Sequence, residues 1–358
     1  AAKNFNDVVI IPSKHQYKFL REILEKGNET TLEERKKLAG QAFRVTSTYD
    51  LTIRGYFQGN KLRYGENPHQ EAMFVGDLEE SFTQLHGKEL SYNNIIDTEA
   101  AVMAVFDFKD PAFAIVKHMN TCGLSIKNNL FEAYKAAYNA DPLSAFGGIL
   151  AANKTIEENI AKLIKEQKLF VEVIIAPDFS KEALAILMEK KDCRILKWNN
   201  PTLPKKQVRT SFTGTLVQDR DTHVETLTDL KSVTKRPPTE QEAKDLLIAS
   251  IATKHLKSNA IALVKDGTLI SMGCGQTSRI DALKQAIDKA NKFKFSLKGA
   301  VMSSEAFFPF PDCVEEAAKA GVTAVIQPGG SKHDQASIDM ADKYNMAMVT
   351  TGFRHFKH

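Results

Sequence analysis

The sequence of 358 residues lacks the features that mark several classes of protein. No run of about 18 apolar residues occurs, so no segment is expected to cross a bilayer as a helix. Residues 1–7 lack the basic and then apolar order of a signal peptide. The four cysteines lie far apart and form no C-x-x-C pair, which favours a reducing compartment over a disulfide scaffold. These absences predict a cytoplasmic protein with no membrane partner.

An excess of charge of one sign is also missing. Lys and Arg total 48 against 44 Asp and Glu, which gives a formal net charge of +4. This balance is too even for a protein whose partner is a nucleic acid, whereas a small positive excess suits small anionic substrates. The composition, 43% apolar and 26% charged, is that of an ordinary globular protein, and a chain of this length is expected to form two or three units.

Predicted strands and helices alternate along the chain. Buried-type runs predict strands at residues 8–11, 112–116, 173–176, 260–264, 322–326 and 346–349. Helical periodicity and capping residues predict helices at 14–25, 31–57, 130–139, 156–166, 181–190, 239–256 and 335–343. Asp266-Gly267 between two apolar runs predicts a tight hairpin. The expected fold class is α/β, with sheets covered on both faces.

A polar stretch from about residue 199 to residue 238, punctuated by Pro201, Pro204, Pro237 and Pro238, marks the expected boundary between two parts of this chain. No internal repeat can be aligned by eye. Four polar, glycine-containing segments stand at predicted strand ends, where open α/β sheets bind ligands. They are residues 63–70, 117–123, 273–279 and 328–331, and the C-terminal residues 352–358 form a fifth candidate element.

The pair Lys117-His118 is the most suggestive of catalysis. A predicted buried strand delivers an ammonium and an imidazole side by side, and imidazole is the usual proton-transfer group at neutral pH. From chain position alone, a surface Lys beside a locally hydrogen-bonded His is an equally good interpretation.

The other segments carry weaker signals. Arg63-Tyr64 offers a guanidinium fork for a phosphate or carboxylate, although a surface Arg beside a half-buried Tyr is favoured from the dipeptide alone. Residues 273–275 fail the dinucleotide spacing G-x-G-x-x-G because Ser278 occupies the last position, so a nicotinamide cofactor is rejected. Residues 328–331 are favoured as a plain tight turn over an anion site.

Taken together, seven segments of the chain resemble the AICAR transformylase family, the formyltransferase part of bifunctional purine biosynthesis enzymes. In chain order they read Arg-Tyr-Gly-Glu-Asn-Pro-His-Gln (63–70), Lys-His-Met-Asn-Thr-Cys-Gly (117–123), Asp-Pro-Leu-Ser-Ala-Phe-Gly-Gly (141–148), Ser-Asn-Ala (258–260), Gly-Cys-Gly-Gln-Thr-Ser-Arg-Ile (273–280), Ser-Ser-Glu-Ala-Phe-Phe-Pro-Phe (303–310) and Arg-His-Phe-Lys-His (354–358). The match follows the family's order over essentially the whole chain, which makes it more specific than any single motif.

The resemblance implies an architecture and partners. Residues 60–205 and 206–358 are expected to form two α/β subdomains with mixed sheets, each similar to cytidine deaminases. Residues 1–59 are expected to be a remnant of the α/β IMP cyclohydrolase domain, so the cyclohydrolase site is predicted to be absent. A homodimer with active sites at the subunit interface is implied. The deaminase zinc signature, H-x-E with P-C-x-x-C, is missing, so no zinc is expected; a structural potassium ion (K+) belongs to the family's description, although nothing in this sequence demands it.

The activity implied is transfer of the formyl group of 10-formyltetrahydrofolate to the 5-amino group of aminoimidazole carboxamide ribonucleotide (AICAR). That amine attacks poorly, so an enzyme must remove its proton and stabilise the oxyanion on the formyl carbon. By resemblance, His118 transfers the proton, Lys117 holds substrate or stabilises charge, and Asn259 donates an amide N–H to the formyl oxygen. Nucleotide contacts are implied for Arg63, Tyr64, Asn94, Phe146, Gly147, Glu172, Arg354 and His358, and folate contacts for Arg279, Ile280, Phe307 and Asp312.

Two other functions stay open. One is a non-catalytic fragment that has lost the dimer and only binds nucleotide. The other is an α/β nucleotide-binding module unrelated to formyl transfer, which would bind adenosine dinucleotides and which the broken glycine spacing disfavours. The formyltransferase is favoured because both of its substrates are anionic and every side chain that it needs is present.

Overall fold

The computed structural model describes residues 1–200 and 202–358. They form two compact units, Ala1–Asp77 and Leu78–His358. Pro201, one of the prolines in the expected boundary segment, lies outside the described residues. The domain boundaries expected at residues 59 and 205 stay predictions.

The first unit is mainly helical. The predicted capping box of the long helix is present, because Thr31 Oγ1 accepts the N–H of Glu34 at 3.2 Å and the Glu34 carboxylate accepts the N–H of Thr31 at 2.8 Å. The helix ends before Gly59, as the sequence predicted. The elements of this unit are two 3₁₀ turns (Ala2–Asn4 and Lys14–Gln16), α1 (Tyr17–Glu25), α2 (Leu32–Gln58) and the antiparallel pair β1 (Gly59–Lys61) and β2 (Met73–Val75).

The predicted strand at residues 8–11 is wrong. These residues have no regular secondary structure, and Val9 exposes 36% of its surface. An extended segment becomes a strand when a neighbouring strand satisfies its backbone hydrogen bonds. In the part of the chain that the structure describes, no strand pairs with this segment, so the apolar run stays irregular.

The second unit is built on one mixed sheet, which has 12 strands among the described residues. Its first half contains β3 (Phe82–His86), α3 (Tyr92–Phe106), β4 (Ala112–Lys117), β5 (Asn120–Ile126), α4 (Leu130–Ala140), α5 (Pro142–Ala145), β6 (Gly148–Ala152), α6 (Glu158–Glu166), β7 (Val171–Ala176), α7 (Lys181–Leu187) and β8 (Arg194–Trp198). A separate hairpin, β9 (Lys206–Ser211) and β10 (Gly214–Asp219), and a 3₁₀ turn (Leu227–Asp229) follow. The second half contains β11 (Lys231–Ser232), α8 (Glu240–Lys254), β12 (Ile261–Lys265), β13 (Thr268–Gly273), α9 (Arg279–Lys292), β14 (Val301–Ser304), α10 (Asp312–Ala320), β15 (Ala324–Gln327), α11 (Asp334–Lys343) and β16 (Ala347–Thr350).

The two halves of the sheet repeat one topology. The strand order is β11-β16-β15-β14-β12-β13-β5-β4-β6-β7-β8-β3. Each half contains an antiparallel hairpin, β4–β5 or β12–β13, and the first strand of that hairpin pairs antiparallel with a third strand, β6 or β14. Two more strands continue parallel to the third strand, β7 and β8 or β15 and β16. An antiparallel strand, β3 or β11, closes each side of the sheet. The halves join where Ser125 of β5 pairs with Thr268 of β13. An internal repeat is therefore present, although it could not be aligned by eye in the sequence.

Helices cover both faces of this sheet, because alternate strand residues point to opposite sides. On one face, α3 and α8 share a single apolar cluster with strand residues of both halves, including Val116 and Val264. On the other face, α4, α6 and α7 cover the first half, and α9, α10 and α11 cover the second. The predicted α/β class with mixed sheets is confirmed. The likeness of each half to cytidine deaminases stays a prediction.

Most of the predicted elements are present with bounds shifted by a few residues, and Asp266-Gly267 forms the expected hairpin turn between β12 and β13. The sequence did not predict β3, β5, β6, β8, β14, α3, α9 or α10. None of the described helices combines the length and the apolarity that a membrane crossing needs.

Candidate active site

His118 lies at the tip of the β4–β5 hairpin. Lys117 pairs with Asn120, so the connection consists of two residues, His118 and Met119, whose φ angles are 52° and 61°. Two consecutive positive φ angles define a type I′ turn, which Asn-Gly and Gly-Gly pairs usually occupy. Segment 117–123 was expected to lie outside the strands, at a strand end, which is wrong for residues 120–123, because tertiary pairing extends β5 back to Asn120.

The turn is held from α3. The carboxylate of Asp97 accepts the N–H of Met119 at 2.8 Å, and the His118 side chain is exposed at the tip. Burial raises the pKa of Asp97 above its ordinary value, although the N–H of Met119 and the charge of His118 act in the opposite direction. A half-buried carboxylate therefore holds the turn that carries the imidazole.

Three candidate residues meet next to this turn. The Nζ of Lys117 donates to the carbonyl oxygen of Phe146 at 2.7 Å, and the Phe146 ring is 58% exposed. Gly147 adopts φ of 73°, which glycine adopts without steric strain, and its N–H donates to the carbonyl of Phe170 at 2.8 Å. The segment that begins β6 is thus fixed beside the end of β4.

Two other candidate nucleotide contacts already have protein partners. Glu172 on β7 accepts a hydrogen bond from Arg194 at 2.8 Å, and the Arg194 side chain is only 5% exposed. The side-chain oxygen of Asn94 accepts the N–H of Ser91 at 3.1 Å in the capping box that begins α3. Contacts of Glu172 and Asn94 with a nucleotide stay predictions.

Asn259, which precedes β12, has a fully hydrogen-bonded side chain. Its Nδ2 donates to the carbonyls of Gln276 at 3.1 Å and Thr277 at 3.2 Å. Its Oδ1 accepts a hydrogen bond from Arg279 at 2.9 Å. An amide nitrogen carries two hydrogens, so both are used here. Donation to a formyl oxygen requires one of these carbonyls to be released.

The Arg279 guanidinium is a buried link. It is 8% exposed and forms an ion pair at 3.0 Å with Glu305, whose side chain is 0% exposed. It also donates to the carbonyl of Phe307 at 3.3 Å. A buried ion pair of this kind is costly to break because the remaining charge is left without a partner. Arg279 therefore fixes the orientation of the Asn259 amide, and its contact with folate stays a prediction.

The other expected folate residues lie on neighbouring elements. Ile280 follows Arg279 on α9 and packs against the core of the second half. Phe307 is 37% exposed, whereas the next residue, Phe308, is fully buried. Asp312 begins α10, where its Oδ1 accepts the N–H of the following residue at 2.8 Å. Of these residues, Phe307 lies three residues after the end of β14.

The C-terminal segment returns to the same region. The N–H of His355 donates to the carbonyl of Glu305 at 3.0 Å, and the N–H of Ser258 donates to the carbonyl of Lys357 at 3.0 Å. The N–H of Lys357 donates to Ser258 Oγ at 3.1 Å. This pairing lies directly beside Asn259 in the chain and brings to the site the two exposed candidates of the segment, Arg354 and His358.

A buried charge cluster anchors this segment. His355 Nδ1 lies 2.6 Å from Asp221 Oδ2, and its Nε2 lies 2.8 Å from Glu225 Oε1. Ser250 on α8 donates to the same Glu225 oxygen at 3.0 Å. Burial alone would lower the pKa of His355, but hydrogen bonds to the two carboxylates raise it to about 9. At neutral pH the ring is an imidazolium that fastens the C-terminal segment to α8.

Candidate residues of both halves lie at one edge of the sheet, the edge formed by the ends of β4 and β13 and the starts of β5 and β12. Because β5 and β13 are antiparallel, the first residue of β5 lies beside the end of β13. Cys274 Sγ donates to Asn120 Oδ1 at 3.4 Å, and Asn120 Nδ2 donates to the carbonyl of His118 at 3.0 Å. The loop that starts at Cys274 also supplies the carbonyls that hold Asn259. A continuous set of contacts thus connects the His118 turn with the Asn259 amide.

Arg63 and Tyr64 belong to the first unit. Arg63 Nη2 donates to the Tyr64 hydroxyl at 2.8 Å, and its Cζ lies 4.7 Å from the ring centroid. The N–H of Gly65 donates to the carbonyl of Gln70 at 2.7 Å and closes the predicted loop. The pair presents a cation and a hydroxyl together, a combination that can bind an anion.

Comparison with known proteins identifies the family. The sequence model of the AICARFT/IMPCHase bienzyme family matches residues 1–289. The bifunctional purine biosynthesis protein PurH of Bacteroides thetaiotaomicron is 51% identical over 372 residues, which cover 100% of this chain and 73% of that protein. The protein of the same name from Bacillus cytotoxicus is 46% identical over 384 residues, covering 100% of this chain and 74% of that protein. The chain belongs to the AICARFT/IMPCHase bienzyme family.

A solved structure of a diaminohydroxyphosphoribosylaminopyrimidine deaminase/5-amino-6-(5-phosphoribosylamino)uracil reductase from Thermotoga maritima also matches. It is 18% identical with a TM-score of 0.22, over 31% of this chain and 33% of that chain. A likeness of this size adds nothing to the assignment to the AICARFT/IMPCHase family.

Among the described residues of this AICARFT/IMPCHase family member, no group of three or more His, Cys, Asp or Glu side chains could hold a metal ion. The potassium ion expected from the resemblance stays a prediction. Four residues that organise the site were not expected from the sequence: Asp97, Arg194, Glu305 and His355. Glu305 and His355 stand inside quoted motifs, and Asp97 follows the Ser-x-x-Asn start of α3, which is a helix-start signal.

Proposed function

We propose that this chain transfers the formyl group of 10-formyltetrahydrofolate to the 5-amino group of AICAR. The observation that carries the proposal is the His118 turn at one sheet edge, connected through Asn120 and Cys274 to the amide of Asn259. Membership of the AICARFT/IMPCHase family supports the same reaction. Of the two activities that the family's description joins, the proposal concerns the transformylase.

In the proposed step, the amine nitrogen of AICAR forms a bond to the formyl carbon and the bond from that carbon to N10 of the folate breaks. The amine loses a proton and N10 gains one, so the products are the formylated nucleotide and tetrahydrofolate. His118 takes the proton of the amine from its exposed position at the hairpin tip. Lys117 supplies positive charge beside the reacting groups, and Asn259 donates to the oxyanion after releasing Gln276 or Thr277.

The proposed binding residues follow the resemblance. Phe146 and Gly147 lie beside Lys117, which supports their contact with the nucleotide. Arg279 is a proposed folate contact. Because its guanidinium is buried and donates to Asn259, we also propose that Arg279 orients the Asn259 amide. We further propose a homodimer whose subunits share the active sites. The remaining proposed nucleotide contacts are Arg63, Tyr64, Asn94, Glu172, Arg354 and His358, and the remaining folate contacts are Ile280, Phe307 and Asp312.

The direct test supplies the purified chain with AICAR and 10-formyltetrahydrofolate and follows formation of tetrahydrofolate. We expect turnover by the unsubstituted chain and none by His118→Ala, with circular dichroism showing that the variant is folded. His15→Ala, at an exposed histidine of the first unit, is the matched control and should keep the rate.

Two outcomes would contradict the proposal. A near-normal rate for His118→Ala would remove the assigned proton-transfer group. Binding of AICAR without turnover by the unsubstituted chain would favour the non-catalytic alternative. Analytical ultracentrifugation tests the dimer, because turnover by a monomer would rule out shared active sites.

A further inference from the structure

The conformation of the His118–Met119 turn needs a physical explanation. Side chains with a Cβ disfavour positive φ, yet both turn residues adopt it. In a two-residue hairpin, the N–H groups of the turn residues lie outside the ladder between the strands. A half-buried N–H such as that of Met119 therefore needs another acceptor, and Asp97 Oδ1 is that acceptor, at 2.8 Å.

The second half of the sheet contains the same contact between a helix carboxylate and a hairpin turn. Helices α3 and α8 both have 15 residues, and the sixth residue is Asp97 in one and Asp245 in the other. Asp245 accepts the N–H groups of Asp266 at 2.9 Å and Gly267 at 2.7 Å, the two residues that form the β12–β13 turn at φ of 49° and 72°. A carboxylate on the covering helix thus holds the type I′ turn in each half.

The two turns differ in the residues that occupy them. The second half uses Asp-Gly, a pair that suits a type I′ turn, so the fold itself is satisfied by an ordinary turn sequence. The first half uses His-Met at the equivalent positions, directly after a lysine in both cases, Lys117 and Lys265. A strained conformation that the fold does not require points to a functional cause.

We infer that Asp97 is a positioning residue for His118: its carboxylate holds the strained turn so that the imidazole is presented at the site edge. The inference rests on the formyl transfer proposed above. The contact that carries the inference is geometric, because the Asp97 carboxylate accepts the N–H of the residue that directly follows His118 in the turn, at 2.8 Å. Asp97 therefore acts through His118 and does not itself touch the reacting atoms.

The experiment compares Asp97→Asn and Asp97→Ala with Asp245→Asn, the same change at the equivalent turn of the other half. Misplacing a reacting group by about 1 Å can lower a rate by about 100-fold. We expect kcat to fall by up to about this factor in Asp97→Ala and less in Asp97→Asn, which keeps an acceptor oxygen, with KM for both substrates unchanged. Asp245→Asn should lower thermal stability but leave kcat unchanged.

A second variant separates positioning from general damage. Glycine adopts positive φ without strain, so Met119→Gly in the Asp97→Ala background should recover part of the lost kcat. In the unsubstituted chain, the amide hydrogen of Met119 should exchange slowly, and the NMR signals of the His118 ring should shift when Asp97 is replaced by Asn. These readouts do not depend on turnover or on the folding of Asp97→Ala.

The outcomes distinguish this inference from the proposed function. If the unsubstituted chain turns over, His118→Ala does not, and Asp97→Ala keeps its kcat, the positioning role is overturned while the formyltransferase stands. If the unsubstituted chain does not turn over, the proposed function fails, and fast exchange at Met119 or unchanged His118 signals would overturn the positioning role as well. A raised KM at constant kcat, or an equal loss of kcat in Asp245→Asn, would also overturn it.

Discussion

Replacing Glu242 by Gln should lower the free energy of unfolding by an amount that disappears in acid. Glu242, in the first turn of α8, forms a two-contact ion pair with Arg236 at 2.8 and 3.0 Å, and its side chain is 12% exposed. It also accepts the N–H of Thr239 at 2.8 Å in the capping box of this helix. Burial alone would raise the pKa of Glu242, but Arg236 and the Thr239 N–H lower it from 4.5 to about 2.

The sign of the pH dependence follows from this lowered pKa. A carboxylate whose pKa is lower in the folded state stabilises the fold fully above its unfolded pKa, and the stabilisation is lost as the pH falls through the folded pKa. At about 1.4 kcal/mol per unit of pKa, the lowered pKa of Glu242 corresponds to about 3 kcal/mol of stability at neutral pH. Gln also serves in a capping box, so Glu242→Gln removes the charge and keeps the cap of α8.

Urea unfolding of both proteins at several pH values between about 7 and about 2 measures this difference. We expect the destabilisation of Glu242→Gln to be largest near neutral pH, to shrink below about pH 4.5 and to vanish near pH 2. Glu240→Gln on the same helix is the matched control, because its partner Lys244 and Glu240 itself are exposed, and surface pairs of this kind contribute little. A destabilisation by Glu242→Gln that stays constant with pH would refute the electrostatic explanation.

Two further predictions concern the C-terminal segment and the His118–Met119 turn. Because the pKa of His355 is raised from 6.5 to about 9, the contribution of His355 to stability is complete below about pH 6.5 and is lost as the pH rises through about 9. Thermal unfolding of His355→Gln should lack this alkaline loss of stability. An unchanged loss would contradict the assignment of an imidazolium. The double change His118→Asn with Met119→Gly gives the turn the residues that its conformation favours. Thermal unfolding should show a gain of about 1 kcal/mol in the free energy of unfolding, while turnover is lost. A lower free energy of unfolding would show that the turn is not strained.

The fold class could be predicted from the sequence because it depends on local patterns. Buried runs such as residues 112–116 and capping residues such as Thr239 and Glu242 define elements without knowledge of their neighbours, and these elements are present. The run at residues 8–11 has the same local pattern, but a strand also requires a partner, which local sequence does not reveal. The repeat was missed for a related reason, since the halves share topology and hydrogen bonds but only isolated residues, such as Asp97 and Asp245.

The candidate site could be predicted only as a set of residues. The motif segments identified His118, Lys117 and Asn259 as candidates. The motifs do not show which groups are hydrogen-bonded to these residues, because most of those groups lie in other segments of the chain. The type I′ turn has no turn signal in His-Met, because its conformation is imposed by pairing of β4 with β5 and by Asp97 on α3. Likewise, the Ser-Arg-Ile motif does not reveal that the Arg279 guanidinium faces a buried Glu305 instead of solvent.

In the proposed reaction one half supplies the proton-transfer group, and the repeat gives a reason for this. Because β5 and β13 are antiparallel, equivalent ends of the two halves lie at opposite edges of the sheet. The His118 turn therefore lies at the edge that carries Asn259 and the ends of β14 and β16, whereas the Asp266-Gly267 turn lies at the other edge, away from them. A histidine at the second turn would lie at the edge opposite Asn259 and Arg279. We therefore expect the strain of a His-Met turn to be compensated by the proposed function at the edge of Asn259 alone, whereas the Asp-Gly turn at the other edge has the residues that favour stability.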